Sequence, residues 1–117
     1  MNFNDDMEII LEYAHYWNWC PDLIEFQKIY NSFPNSFSVL TPFAYSYLEE
    51  CIRSTTSDYG IEILDELKLY FNDSSSSDSG DNRNSVNHGY MHPINWSKES
   101  FEKLVHDIAR ISPYVKF

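Results

Sequence analysis

The sequence predicts an all-α protein, an antiparallel bundle of four to five helices in one domain spanning 1–117. Apolar residues recur at three-to-four spacing in successive segments of helical length, which is the signature of one buried stripe per helix. Helix starts and stops are marked by capping residues and prolines between those segments. No run alternates at the period of a strand for any useful length, the nearest being Phe37 to Leu40. At 117 residues, the chain is long enough to bury a core without disulfides or a structural metal.

The first predicted helix runs from about Asp5 to Trp19, with Asn4 or Asp5 as its cap and Ile10, Tyr13, Ala14 and Trp17 along its apolar stripe. Pro21 suits the first turn of a second helix carrying Leu23, Ile24, Phe26, Ile29 and Tyr30, so the opening reads as two helices or one kinked helix. The turn tract Asn31 to Ser36, around Pro34, closes it. Thr41-Pro42 reads as cap and first helical residue of a third helix bearing Ala44, Tyr47, Leu48, Cys51 and Ile52. After a break at Thr55 to Gly60, a fourth helix carries Ile61, Leu64, Leu67, Lys68 and Phe71, with Asp65 and Glu66 outside, and ends near Asn72. Asn72 to Asp81 holds five Ser, three Asp, one Asn and one Gly, a composition that buries nothing and predicts a flexible loop. Asp81 or Asn82 then caps a short helix through Arg83 to His88, ended by Gly89 and Pro93. Ser97 caps the last helix, whose stripe is Phe101, Leu104, Val105, Ile108 and Ala109 and which stops before Pro113.

Composition narrows the function. A hydrophobic fraction of 43% with 17% aromatic residues excludes a chain disordered throughout. Cys20 and Cys51 sit in apolar helical patterns without a neighbouring ligand, so buried reduced thiols are expected. The first residues lack a basic and an apolar leader region, and no stretch approaches a membrane span, which predicts a cytoplasmic protein with no membrane partner. A net charge of −10 disfavours a general nucleic-acid coat, since such binding comes from cations neutralising phosphates. The charge is nevertheless uneven: residues 1–81 carry 15 acidic and 3 basic side chains, residues 82–117 carry 3 and 5.

The segment Arg83-Asn84-Ser85-Val86-Asn87-His88-Gly89-Tyr90 lies in that less acidic third. Arginine presents a fixed fork of donors to phosphate oxygens, histidine exchanges a proton near neutral pH, and asparagine orients either partner. Metal-independent RNA cleavage needs those roles: a base on the ribose 2′-hydroxyl, an acid on the leaving oxygen and a cation against the charge growing on phosphorus. On a straight helix Arg83 and His88 diverge by roughly 140°. A two-fold dimer, or a helix broken at Gly89, would bring such groups into one groove. A metal held by His88 and His92 is disfavoured because Gly89 and Pro93 interrupt the helix that the spacing requires. His15 and His106 read as surface or partly buried residues of amphipathic helices.

Arg83-x4-His88-x-Tyr90, with Asn84 directly after the arginine, resembles the Arg-x(4-6)-His signature of the HEPN superfamily of small helical proteins. The added Tyr90 resembles the version found in HEPN toxins paired with nucleotidyltransferase antitoxins, in which that tyrosine is an adenylylation site. The tracts TTSDYG and DSGDNRNSVNHGYMHP also resemble a bacterial HEPN-like subgroup, with a shorter connection between them in this chain. The resemblance implies a homodimer and a metal-independent, cofactor-free endoribonuclease of toxin-antitoxin or abortive-infection systems. It makes Arg83 and His88 catalytic, Asn84 supporting and Tyr90 a modification site. Asp81 either orients Arg83 or caps its helix.

The rival expectation is an inactive HEPN-like module for dimerisation or partner binding, its acidic N-terminal face meeting a basic partner. In that reading Arg83 pairs with a carboxylate, and Tyr90 and Trp96 cover the end of the core. Trp17 and Trp19 are expected in the core or at a dimer contact, because an acidic region repels the phosphate backbone that base stacking would bring near.

Overall fold

The computed structural model describes residues 2–55, 61–71 and 97–116. Five helices hold most of them: α1 (Phe3–Tyr13), α2 (Cys20–Ser32), α3 (Phe37–Arg53), α4 (Ile61–Lys68) and α5 (Lys98–Ile111). Among the described residues there is no strand, only an isolated bridge between Thr55 and Val115. Beside it, the Lys116 N–H donates to the Ser54 carbonyl at 2.8 Å, fastening the end of the chain to the end of α3.

Capping chemistry sets several boundaries where the sequence marks them. The Ser97 hydroxyl accepts from the Ser100 N–H at 2.9 Å and opens α5, satisfying a donor that has no carbonyl partner in the first turn. Asn2, rather than Asn4 or Asp5, caps α1 by accepting from the Asp5 N–H at 3.1 Å, and Asp5 and Asp6 in the first turn suit the positive end of the helix. Pro21 stands in the first turn of α2, where a missing N–H costs nothing.

Two boundaries differ from the sequence expectation, each for a packing reason. Helix α1 ends at Tyr13 instead of continuing to Trp19. Trp17 and Trp19 both pack on Tyr47, with ring centroids 5.6 and 5.2 Å away. Residues two apart on a continuous helix point about 200° away from each other, so one partner for both requires a turn. Helix α3 begins at Phe37, not at Pro42, which lies inside it. The Thr41 hydroxyl donates to the Phe37 carbonyl one turn back at 2.6 Å instead of capping. Pro42 removes one helical hydrogen bond. The added turn buries Leu40 and Thr41, and it follows directly on a short 3-10 turn begun by Pro34.

Helix α5 packs against α1, α3 and α4. All five residues of its predicted stripe are buried, joined by Asp107 and Ile111. Phe101 is fully buried, and its ring centroid lies 4.8 Å from Tyr30, 5.7 Å from Phe26 and 6.1 Å from Phe3. Phe26 continues the cluster to Phe43 at 5.3 Å, so one set of rings joins α1, α2, α3 and α5. Asn4 accepts hydrogen bonds from Gln27 at 3.1 Å and Asn31 at 2.9 Å, which sets the start of α1 beside the end of α2 and makes that pair antiparallel. On α4, Leu67 is fully buried while Asp65, Glu66 and Lys68 are exposed. No described helix is long and apolar enough to cross a membrane.

Phe101→Ala is expected to lower unfolding free energy by about 3–5 kcal/mol, because it empties the point where four helices meet. Urea unfolding of the variant against the native chain measures it, and a loss under about 1 kcal/mol would show that the cluster is not what holds α5.

Candidate functional site

Arg83, Asn84, His88, Tyr90 and Asp81 all lie outside the described residues, as do the Ser- and Asp-rich stretch at about 72–81, the short helix expected at Arg83 to His88, His92 and Trp96. The described structure accounts for the two segments that flank them, one ending at Phe71 and the other beginning at Ser97.

A polar cluster the sequence reading did not single out ties these flanks together. Lys68 ends α4, and the 3-10 turn Leu69–Phe71 follows. From that turn Tyr70 donates its hydroxyl proton to Asp107 Oδ2 at 2.6 Å. Lys103 Nζ reaches the same oxygen at 2.9 Å, and Arg110 donates to Asp107 Oδ1 at 2.9 Å. Arg110 also forms a two-pronged pair with Glu66 of α4, both contacts at 3.1 Å. On the opposite side, Tyr70 packs edge-on to buried Tyr45 at 5.7 Å, and Phe71 does so at 6.3 Å.

Burial by itself would raise the pKa of the Asp107 carboxyl. Hydrogen bonds from Tyr70, Lys103 and Arg110 outweigh it and hold the group below the usual carboxylate range. Burial and the Asp107 charge push the Tyr70 hydroxyl well above its ordinary value, so it stays a donor. Lys103 is raised chiefly by its bond to Asp107, and Arg110 by its bonds to Glu66 and then Asp107. The arrangement is a satisfied ion cluster with every charge engaged, a positioning device for α4 and the turn after it rather than an acid-base pair.

This cluster changes the reading of charge. Five cations make the C-terminal third less acidic in sequence, yet Lys103 and Arg110 are already committed to Asp107 and Glu66. Lys98 lies 5.9 Å from the Tyr30 ring centroid. The sequence signal that marks the cluster is the spacing of Lys103, Asp107 and Arg110, with the carboxylate one turn from each cation on one helix face.

A second buried carboxylate lies between α1 and α5. Asp6 is buried on α1, and its Oδ1 stands 3.1 Å from His106 Nδ1, while Oδ2 has no hydrogen-bond partner among the described residues. His106 is therefore a structural partner of Asp6. His15 is exposed and packs edge-on to Tyr16 at 4.6 Å. Among the described residues no group of three or more His, Cys, Asp or Glu side chains is placed to hold a metal ion.

Both cysteines are free thiols. Cys51 is buried, and burial pushes its pKa up to about 12, so it is protonated and unreactive at neutral pH. Cys20 is only half-buried, short of the expected burial, because it opens α2 at the edge of the aromatic turn. Trp17 and Trp19 are half-buried on Tyr47, and Trp19 also meets Phe43 at 5.7 Å, so their rings serve packing at the rim of the core.

Comparison with known protein families, curated proteins and solved structures finds no match.

The lowered pKa of Asp107 has a definite sign for stability. A carboxyl held below its unfolded value of about 3.9 contributes stability that is fully present above that pH and is lost as pH falls through the folded value. Asp107→Asn is expected to cost about 2 kcal/mol near pH 7, by weakening charge-assisted hydrogen bonds. It is also expected to flatten the fall in stability between about pH 5 and about pH 2. Urea unfolding across that range reads both, and an unaltered acid slope in the variant would assign the acid sensitivity to other carboxylates.

Proposed function

We propose that the chain is a metal-independent endoribonuclease of the HEPN type, acting as a homodimer in a toxin-antitoxin or abortive-infection setting within the cytoplasm. The observation that carries this reading is the segment Arg83-Asn84-x3-His88-x-Tyr90, which combines the residue types that RNA cleavage without a metal demands. The helical fold of the described residues is compatible with it.

In this reading His88 exchanges the proton of the 2′-hydroxyl or of the leaving 5′-oxygen. Arg83 stabilises the charge on the pentavalent phosphorus, and Asn84 holds the phosphate or the imidazole. The attacking 2′-oxygen bonds to phosphorus as the 5′-oxygen leaves, giving 2′,3′-cyclic phosphate and 5′-hydroxyl ends. Asp81 orients Arg83 or caps the helix that carries it. Two copies of the segment across a two-fold axis supply the convergence that a single copy lacks. Tyr90 is the residue through which a nucleotidyltransferase-type antitoxin would silence the protein, since an adenylyl group there adds bulk and negative charge to a segment that must bind phosphate.

The polar cluster on α5 sharpens the role of Arg83. With Lys103 and Arg110 engaged by carboxylates, the reading places the burden of phosphate recognition on Arg83. Arg83→Lys, which keeps the charge but loses the planar fork, is therefore expected to be nearly as defective as Arg83→Ala.

The test is incubation of purified protein with a fluorescent RNA in EDTA, beside Arg83→Ala and His88→Ala, followed by end-group analysis. Cleavage that survives chelation is expected to fall by at least about 100-fold in each variant, the size of a lost acid-base or electrostatic contribution. Absence of cleavage by the native chain over a broad set of RNAs would leave the HEPN-like binding module as the reading.

A further inference from the structure

The aromatic cluster that joins four helices leaves α4 out. Rings of Phe3, Phe26, Phe43 and Phe101 tie α1, α2, α3 and α5 to one another, whereas α4 carries no aromatic residue. Among its described side chains only Leu67 is fully buried, with Ile63 and Leu64 partly covered beside it. At eight residues, α4 is well below the length at which a helix keeps its shape unaided in water. Its structure therefore lasts only while it is docked.

The ion cluster that docks it divides into two halves. Lys103 and Arg110 stand four residues before and three after Asp107, and each reaches one of its oxygens at 2.9 Å from the same helix. Those two bonds need nothing from α4. The other half crosses between elements: the Tyr70 hydroxyl donates to Asp107 at 2.6 Å and accepts from Lys103 Nζ at 3.1 Å, while Glu66 holds Arg110. When α4 and its turn lift away, Asp107 keeps two of its three donors, so no carboxylate is left bare in the interior. Arg110 keeps Asp107, and Glu66, whose side chain is 51% exposed even when docked, passes to water. Tyr45 loses the rings of Tyr70 and Phe71. What opposes release is thus confined to the apolar side chains of α4, two ring contacts, one phenol hydrogen bond and one exposed ion pair.

We propose that α4 and the turn Leu69–Phe71 form a strap that opens as one unit from a body of α1, α2, α3 and α5 that stays folded, with the Tyr70 bond to Asp107 as its fastening. The body has its own core and its own satisfied half of the ion cluster, so it does not depend on the strap. The strap has neither, so it depends on the body. Opening uncovers the Tyr45 ring and frees the side of the Arg110 guanidinium that Glu66 occupies, an apolar surface beside a cation. It also moves Phe71, one of the two described ends that bracket residues 72–96.

Native-state hydrogen exchange followed by NMR tests the strap. The hydrogen-bonded amides of α4, Asp65 to Lys68, are compared with Val105 to Ala109 of α5 after division by their intrinsic rates. The α4 amides are expected to exchange at least about 100-fold faster than those of α5, at a rate that rises little with added urea, because opening exposes only a small part of the surface. Tyr70→Phe retains the ring on Tyr45 and removes the hydroxyl bond, so exchange in α4 is expected to quicken at least about fivefold. Leu67→Asp is expected to hold the strap open: α4 loses protection, while α5 keeps it and still unfolds cooperatively in urea.

Equal protection and equal urea dependence in α4 and α5 would make them one cooperative unit and overturn the proposal. Unaltered α4 rates in Tyr70→Phe would overturn the fastening, and loss of protection in α5 along with α4 in Leu67→Asp would overturn the independence of the body. The measurement uses no RNA, so the strap and the nuclease reading stand or fall separately.

Discussion

Phe101 sits where the two ends of the chain meet. Its ring touches Phe3 from the first described helix and Phe26 and Tyr30 from the second, so helices nearly the whole sequence apart share one cluster. Tilted ring pairs add about 0.5–1.5 kcal/mol each beyond the area they bury, and the closure of so long a loop grows only slowly in entropic cost. The cluster is therefore strong enough to define the fold. Once α5 is placed against α1 and α2, its other side chains have fixed partners: Leu104, Val105 and Ile108 complete the apolar core, and Asp107 turns toward α4.

Asp107 is the second constraint, and it depends on the first. A carboxylate in that position is tolerable only because three donors converge on it, two from its own helix and one from Tyr70. Tyr70 is brought into reach by its own packing on Tyr45 of α3. The turn after α4 is thus held from two sides, by a ring contact and by an ion cluster. Short α4 is held by fully buried Leu67, by Ile63 and Leu64 packed against the core, and by the Glu66 pair. The same bonds hold the described residues that flank residues 72–96, the stretch within which Arg83 to Tyr90 lies.

The sequence was legible where one physical effect acted alone. Ser97 had no competing role, and the stripe of α5 follows helical spacing from end to end, so both its start and its buried face were readable. Legibility failed where tertiary packing overrode a local signal. Thr41-Pro42 has the chemistry of a helix start, yet burial of Leu40 and Thr41 carried α3 one turn further back. Trp17 continued a helical stripe by spacing, but sharing Tyr47 with Trp19 required a turn. Asp6 and Asp107 were invisible as core residues because a carboxylate on an amphipathic helix is ordinarily assigned to water, and only its partners in space make the interior acceptable. For the candidate site the legible part was chemical: the residue types and their spacing in Arg83 to Tyr90 name a reaction, whereas their mutual arrangement falls outside the described residues.

These separate features divide the surface by charge. The outer sides of α1 and α2 are acidic and turn phosphate away. Two of the cations on α5 that appear basic in sequence are neutralised by Asp107 and Glu66, so they steer little. Residues 29–48 contribute no charged side chain of their own, the nearest charges to that stretch being Glu102 and Lys98 of α5 against Tyr30. If RNA is the substrate, as proposed, the described residues offer it an acidic surface and few unengaged cations, and their electrostatic attraction would contribute little to encounter. Under that proposal recognition would come from contacts made at the reacting phosphate itself, which would favour a substrate presented in one local conformation over general capture of RNA. A protein built this way, if it cuts RNA through Arg83 and His88, is selective by exclusion: its surface discourages nonspecific binding and leaves discrimination to the few residues at the site.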